Sequence, residues 1–201
     1  METIDTIAAL EALYDVAPSE AALVKVTDHL TPSYRAWIGR AQFVVLSTVG
    51  PEGVDGSPRG DAGPVVTVAD ARTLLLPDWR GNNRLDSLRN IVRDGRVALM
   101  FLVAGSNNAM RVNGTAVVSA DPALTGRFEQ QGQHPRSVIV VRVAEVYSQC
   151  ARALVRSAFW TSGDRSAGLP SVGTMLADAK AGFDGAAYDA GWAERAKGSL
   201  W

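Results

Sequence analysis

Phe43-Val44-Val45-Leu46-Ser47-Thr48-Val49 is a β-branched, apolar run that stops at Gly50-Pro51-Glu52-Gly53. Branched side chains suit extended backbone, and the tetrad after them favours a reversal, so the spacing predicts a strand, a turn and a returning strand. The same texture recurs downstream. Short strands are expected at Pro64–Val68 and Thr73–Leu76 around a turn at Ala69-Asp70, and at Arg96–Val103 and Met110–Ser119 around Gly105-Ser106-Asn107-Asn108. Ser137–Tyr147 is the longest apolar strand. Leu85, Leu88, Ile91 and Val92 instead follow helical spacing, with Asn83 as the expected cap and a stop near Gly95. Asp121-Pro122 starts a short helix with Leu124 and Phe128 inward. So few inserted helices do not make a βαβ pattern; six or more strands with short turns point to a closed antiparallel barrel.

Helical texture flanks this segment. Ile4, Ile7, Leu10 and Tyr14 form one apolar face, Ser19 is placed to cap a second helix with Ala22, Leu23 and Val26, and Thr31-Pro32 opens a third carrying Tyr34, Trp37 and Ile38. Beyond Cys150 come a helical stretch through Trp160, a Gly/Ser-rich loop at Ser162–Gly168 and a further helix after Pro170. The expected organisation is a helical extension over 1–40, a barrel over 41–160, and a loop and helical extension over 161–201 that packs on the barrel or on a partner.

The chain has 201 residues, 47% hydrophobic and 20% charged, with a formal net charge of -1. That balance gives no electrostatic reason to bind nucleic acid or acidic membranes. One cysteine, no basic-apolar leader at Met1-Glu2-Thr3-Ile4-Asp5 and no apolar run near the roughly 18 residues of a span point to a soluble cytoplasmic protein. Two separated histidines and one cysteine leave no metal site of the usual kind, and no nucleophile elbow or glycine-rich phosphate loop is present. An enzyme of this composition takes its reactive group from a cofactor.

Ser57-Pro58-Arg59-Gly60-Asp61 and Pro77-Asp78-Trp79-Arg80-Gly81-Asn82-Asn83-Arg84-Leu85-Asp86 carry the chemistry. They set arginines and an asparagine pair beside a strand end and a helix start, where backbone N–H groups and guanidinium forks suit a phosphate. Each has a plainer reading: Arg59 pairs with Asp61, Asp86 closes a capping box with Asn83, and Cys150 is a small core residue.

With Leu46-Ser47-Thr48-Val49, Met110-Arg111-Val112-Asn113-Gly114 and Arg156-Ser157-Ala158-Phe159-Trp160, these motifs resemble the pyridoxamine 5′-phosphate oxidase-like, FMN-binding split-barrel flavoproteins, in an uncharacterised bacterial branch. The resemblance implies a mainly β (α+β) fold, a six-stranded antiparallel split β-barrel with flanking N- and C-terminal helices. It also implies a homodimer with FMN at the subunit interface. Arg59 and Arg84 match the phosphate-gripping positions, with Ser57, Asn82 and Asn83 as further hydrogen-bonding groups. Asp78 either accepts from a ribityl hydroxyl or pairs with Arg80 or Arg84. Arg111 points into the flavin cleft or makes a surface pair, and Trp160 covers a partner's flavin edge or sits in the core. Residues 191–201 lack the arginine- and histidine-rich patch that binds the vitamin phosphate in pyridoxamine phosphate oxidases, so another small molecule is the expected substrate. The implied activity is hydride transfer at flavin N5, with no identified catalytic side chain. A non-catalytic flavin-binding or sensing protein is the alternative, and a deazaflavin is a lesser choice of cofactor.

Overall fold

The computed structural model describes residues 1–14 and 16–198; Asp15 and the terminal Ser199, Leu200 and Trp201 of the 191–201 stretch lie outside the described residues. Seven strands form one antiparallel sheet: β1 (Phe43–Gly50), β2 (Gly53–Gly60), β3 (Thr67–Asp70), β4 (Thr73–Asp78), β5 (Arg96–Leu102), β6 (Ala109–Ser119) and β7 (Ser137–Gln149). Their order is β2-β1-β5-β6-β7-β4-β3. The sheet curls into a split barrel around Val44, Leu46, Leu74, Leu76, Leu99, Phe101, Val112, Ile139 and Val141, all essentially without solvent exposure. Alternation does this: β1 reads exposed, buried, intermediate, buried along its length, so one face is apolar and closes on itself.

The strand count is seven rather than six. The strand expected at Pro64–Val68 forms at Thr67–Asp70 as a four-residue edge strand, while Val65 and Val66 are buried as a bend after Pro64, so the β3–β4 turn falls at Ala71-Arg72 instead of Ala69-Asp70. The longest pair, β6–β7, shifts register between Asn113 and Gly114. Glycine is required at that bulge, because a Cβ on Gly114 would meet the Arg142 carbonyl oxygen at 1.9 Å.

Among the helices, α1 (Ile7–Ala12) and α2 (Glu20–Val24) bury no side chain, whereas α3 (Pro32–Ile38), capped by Thr31, buries Ile38. Helix α4 (Asp86–Arg93) packs on β1, where Asn90 Nδ2 donates to Thr48 Oγ1 at 3.1 Å and Gly50 leaves room for the Asn90 side chain. Helices α5 (Pro122–Thr125) and α6 (Arg152–Arg156) bracket β7 in sequence, and α7 (Val172–Ala179), α8 (Gly185–Ala190) and α9 (Trp192–Lys197) follow. Cys150 is exposed, not a core residue, because β7 ends at Gln149 and the chain leaves the barrel there. An amide hydrogen bond from Arg152 lowers its thiol pKa, helped by the Arg152 and Lys25 charges. No helix among the described residues is long and apolar enough to cross a membrane.

Candidate functional site

Period-two alternation along β2 puts Asp55, Ser57 and Arg59 on its half-buried face and Val54, Gly56 and Pro58 outward. These three line a cleft of about 1080 Å³ with Asp78, Trp79, the 80–88 segment and residues 134–137. Ser57, Arg59, Asp78, Asn82, Asn83 and Arg84 therefore come together. Arg111 and Trp160 do not. The Arg111 guanidinium lies 5.2 Å from the Tyr147 ring centroid, and Trp160 Nε1 donates to the Ser106 carbonyl at 2.7 Å, outside this cleft.

Arg59 pairs with Asp78 at 2.5 Å, not with Asp61, so the ion pair that Asp78 makes is with neither Arg80 nor Arg84. The contact bridges β2 and β4, strands that are not neighbours in the sheet. Both side chains are largely covered, at 23% and 16% exposure. Yet Arg59 Nε is buried with no hydrogen-bond partner among the described residues. An orphaned donor of this kind costs about 1–3 kcal/mol.

Arg84 stands just ahead of α4, not in its first turn. Its Nε donates to Asp86 Oδ2 at 2.8 Å and its amide to Asn82 Oδ1 at 3.1 Å. Asn83 and Leu85 flank it in the left-handed region, at φ 57° and 61°. A leucine there is strained, and such strain gathers at ligand-holding turns. It also overturns the expected capping. Leu85 occupies the N-cap position with no side-chain bond, so neither the Asn83 cap nor the Asn83–Asp86 capping box forms. The Arg84–Asp86 pair is mostly solvated and so worth little, which leaves Arg84 able to exchange its partner.

A strap beside the cleft escaped the sequence reading. Asp61 accepts from Trp79 Nε1 at 2.8 Å and from Gln130 Nε2 at 3.0 Å, while Arg80 Nη2 donates to Gln133 Oε1 at 3.2 Å. These bonds tie a strap over residues 128–137, turned at Gln131 and Gly132 with positive φ, to the cleft wall. The strap brings His134 and Arg136 to the cleft. Arg136 has no side-chain hydrogen bond or ion pair with another described residue. The signal was His134-Pro135-Arg136, a basic pair directly before the longest strand. Among the described residues no cluster of histidine, cysteine and acidic side chains is arranged to hold a metal.

The sequence profile described as pyridoxamine 5′-phosphate oxidase matches residues 30–150. Among solved structures, a variant of HupZ from Group A Streptococcus shares the fold at a TM-score of 0.50, with 17% identity over 60% of this chain and 99% of that one. A candidate pyridoxamine 5′-phosphate oxidase from Lactobacillus delbrueckii is 25% identical over 60% of this chain and 95% of its own, with a TM-score of 0.48. An FMN-binding protein from Syntrophomonas wolfei is 13% identical over 58% and 83%, with a TM-score of 0.44. Comparison with curated proteins gives no match. The profile covers more than half of the chain and takes in all seven strands, β1 through β7, and the chain belongs to the pyridoxamine 5′-phosphate oxidase family.

Proposed function

We propose that the protein is an FMN-dependent oxidoreductase acting on a small molecule, with the flavin phosphate held at the Arg59–Arg84 end of the cleft. The observation that carries this reading is one cleft lined by two arginines, Arg59 and Arg84, the second only loosely committed to its partner. Family membership supports the choice of FMN as the anion. Ser57 supplies a hydroxyl from the same β2 face as Arg59, and Asn83 an amide from the strained turn. Asn82 is already used in part, since its oxygen accepts from the Arg84 amide. Bound FMN would supply hydride transfer at N5, and the protein's share is then binding, orientation and charge compensation.

A homodimer belongs to the same proposal. Arg111 and Trp160 lie away from their own cleft, as expected of residues that one copy lends to another's. Phe43 and Met100 leave apolar surface on the outer face of β1 and β5.

Purified protein mixed with FMN and passed through gel filtration should keep absorbance near about 450 nm, the flavin's own band. Colourless protein would sink the reading. Steady consumption of a reduced nicotinamide by the yellow protein then distinguishes an oxidoreductase from a flavin-binding or sensing protein.

A further inference from the structure

The acidic groups of the cleft are already engaged. Asp78 is paired with Arg59, Asp86 with Arg84, and Asp55 accepts from the Ser87 hydroxyl at 2.8 Å. Arginine does not give up its proton in a protein. That leaves one side chain among the described cleft residues suited to moving protons near neutral pH, His134. Its ring is held rather than loose. Nδ1 lies 2.6 Å from the Phe128 carbonyl oxygen. A carbonyl only accepts, so Nδ1 must carry the hydrogen, and in the neutral ring Nε2 is the bare nitrogen. The strap that presents this ring is itself anchored through Gln130 to Asp61 and through Gln133 to Arg80.

We propose that His134 is the proton-transfer residue of this cleft, serving a substrate whose reduction needs a proton beside a hydride, such as a quinone or a conjugated carbonyl. This rests on the flavin reading above. In the imidazolium form Nδ1–H stays on the Phe128 carbonyl while the Nε2–H bond breaks. Its electron pair remains on nitrogen and the proton bonds to the substrate oxygen. The electrons come as a hydride from the reduced flavin cofactor, recharged by a nicotinamide dinucleotide. His134 is exposed and regains its proton from water.

Two measurements test it on the full chain. In a His29→Gln background His134 gives the only imidazole Cε1–H resonance, which is followed during an FMN titration monitored in parallel by flavin fluorescence. Saturation should shift that resonance; flavin binding with no shift would overturn the assignment. Failure of FMN to bind would instead remove the flavin reading and this inference with it. The second measurement compares wild type with His134→Asn, whose side-chain amide retains a donor for Phe128 but has no acid–base function. Anaerobically photoreduced holoprotein is mixed with menadione in a stopped-flow instrument. Flavin reoxidation should slow about a hundredfold in the variant, with FMN affinity showing that its cleft is intact. A rate equal to wild type would mean that His134 only pins the strap, and the proposal would fail.

Discussion

At the residue scale, the Arg59–Asp78 pair gives the cleft two opposed demands. The carboxylate neutralises a largely covered guanidinium, and it also competes with any phosphate for the same fork. Replacing Asp78 by Asn should therefore act in opposite directions. The ligand-free protein should lose about 1–2 kcal/mol in urea unfolding, the scale of a partly covered charge-assisted bond, while FMN binds more tightly by fluorescence titration. Weaker FMN binding in Asp78→Asn would mean that the carboxylate contacts the ligand directly. Arg59→Ala and Arg84→Ala should each weaken FMN binding by about 1.5–3 kcal/mol. Equal titration curves for both variants and wild type would remove the phosphate assignment. Neither arginine's partner was legible in the sequence. Arg59 and Asp78 are 19 residues apart on strands that do not pair, and Leu85 is a residue type that gives no warning of a left-handed turn.

At the scale of elements, what could be read was what periodicity and turn chemistry control. The β1–β2 hairpin, the Thr31-Pro32 helix start and the stop of α4 before Gly95 all appear as expected, because each depends on neighbours in sequence. The β6–β7 bulge was invisible, since Met110-Arg111-Val112-Asn113-Gly114 reads as plain strand with a terminal glycine. Gly114→Ala should be severely destabilising. Its Cβ would overlap a backbone carbonyl in the middle of the longest ladder, and thermal unfolding should shift far down or the protein should not fold. An exposed clip gives a milder, pH-dependent case. Asp28 accepts from His29 and Arg72, pinning the 27–30 segment to the β3–β4 turn, and these bonds hold its carboxyl below the usual range, the His29 bond most of all. A depressed carboxylate stabilises the fold above its unfolded-state pKa, and the contribution disappears as pH falls. The urea midpoint of Asp28→Asn should lie below that of wild type near neutrality, and the gap should close as pH falls through the lowered pKa of the carboxyl. A gap that persists in acid would show that the clip is not carried by the charge.

At the scale of the whole molecule, the outer face of the barrel and the N-terminal helices remain underused by a single chain. Phe43 and Met100 are each about two-fifths exposed on adjacent strands, and α1 leaves Ile7 and Leu10 uncovered. Composition foretold none of this, because a 47% hydrophobic chain is ordinary and says nothing about which apolar groups the fold leaves outside. If a second copy covers the β1–β5 face and lends Arg111 or Trp160 to the opposite cleft, oligomeric state and flavin affinity must move together. Light scattering should give about twice the 21.3 kDa chain mass. Met100→Glu buries a charge in that interface at a site already exposed in the single chain, so it should yield a folded monomer. That monomer should bind FMN at least tenfold more weakly, since the residues lent by the partner would be gone. A monomeric variant with unaltered FMN affinity would show that one chain completes its own site, and Arg111 and Trp160 would then have no part in holding the flavin.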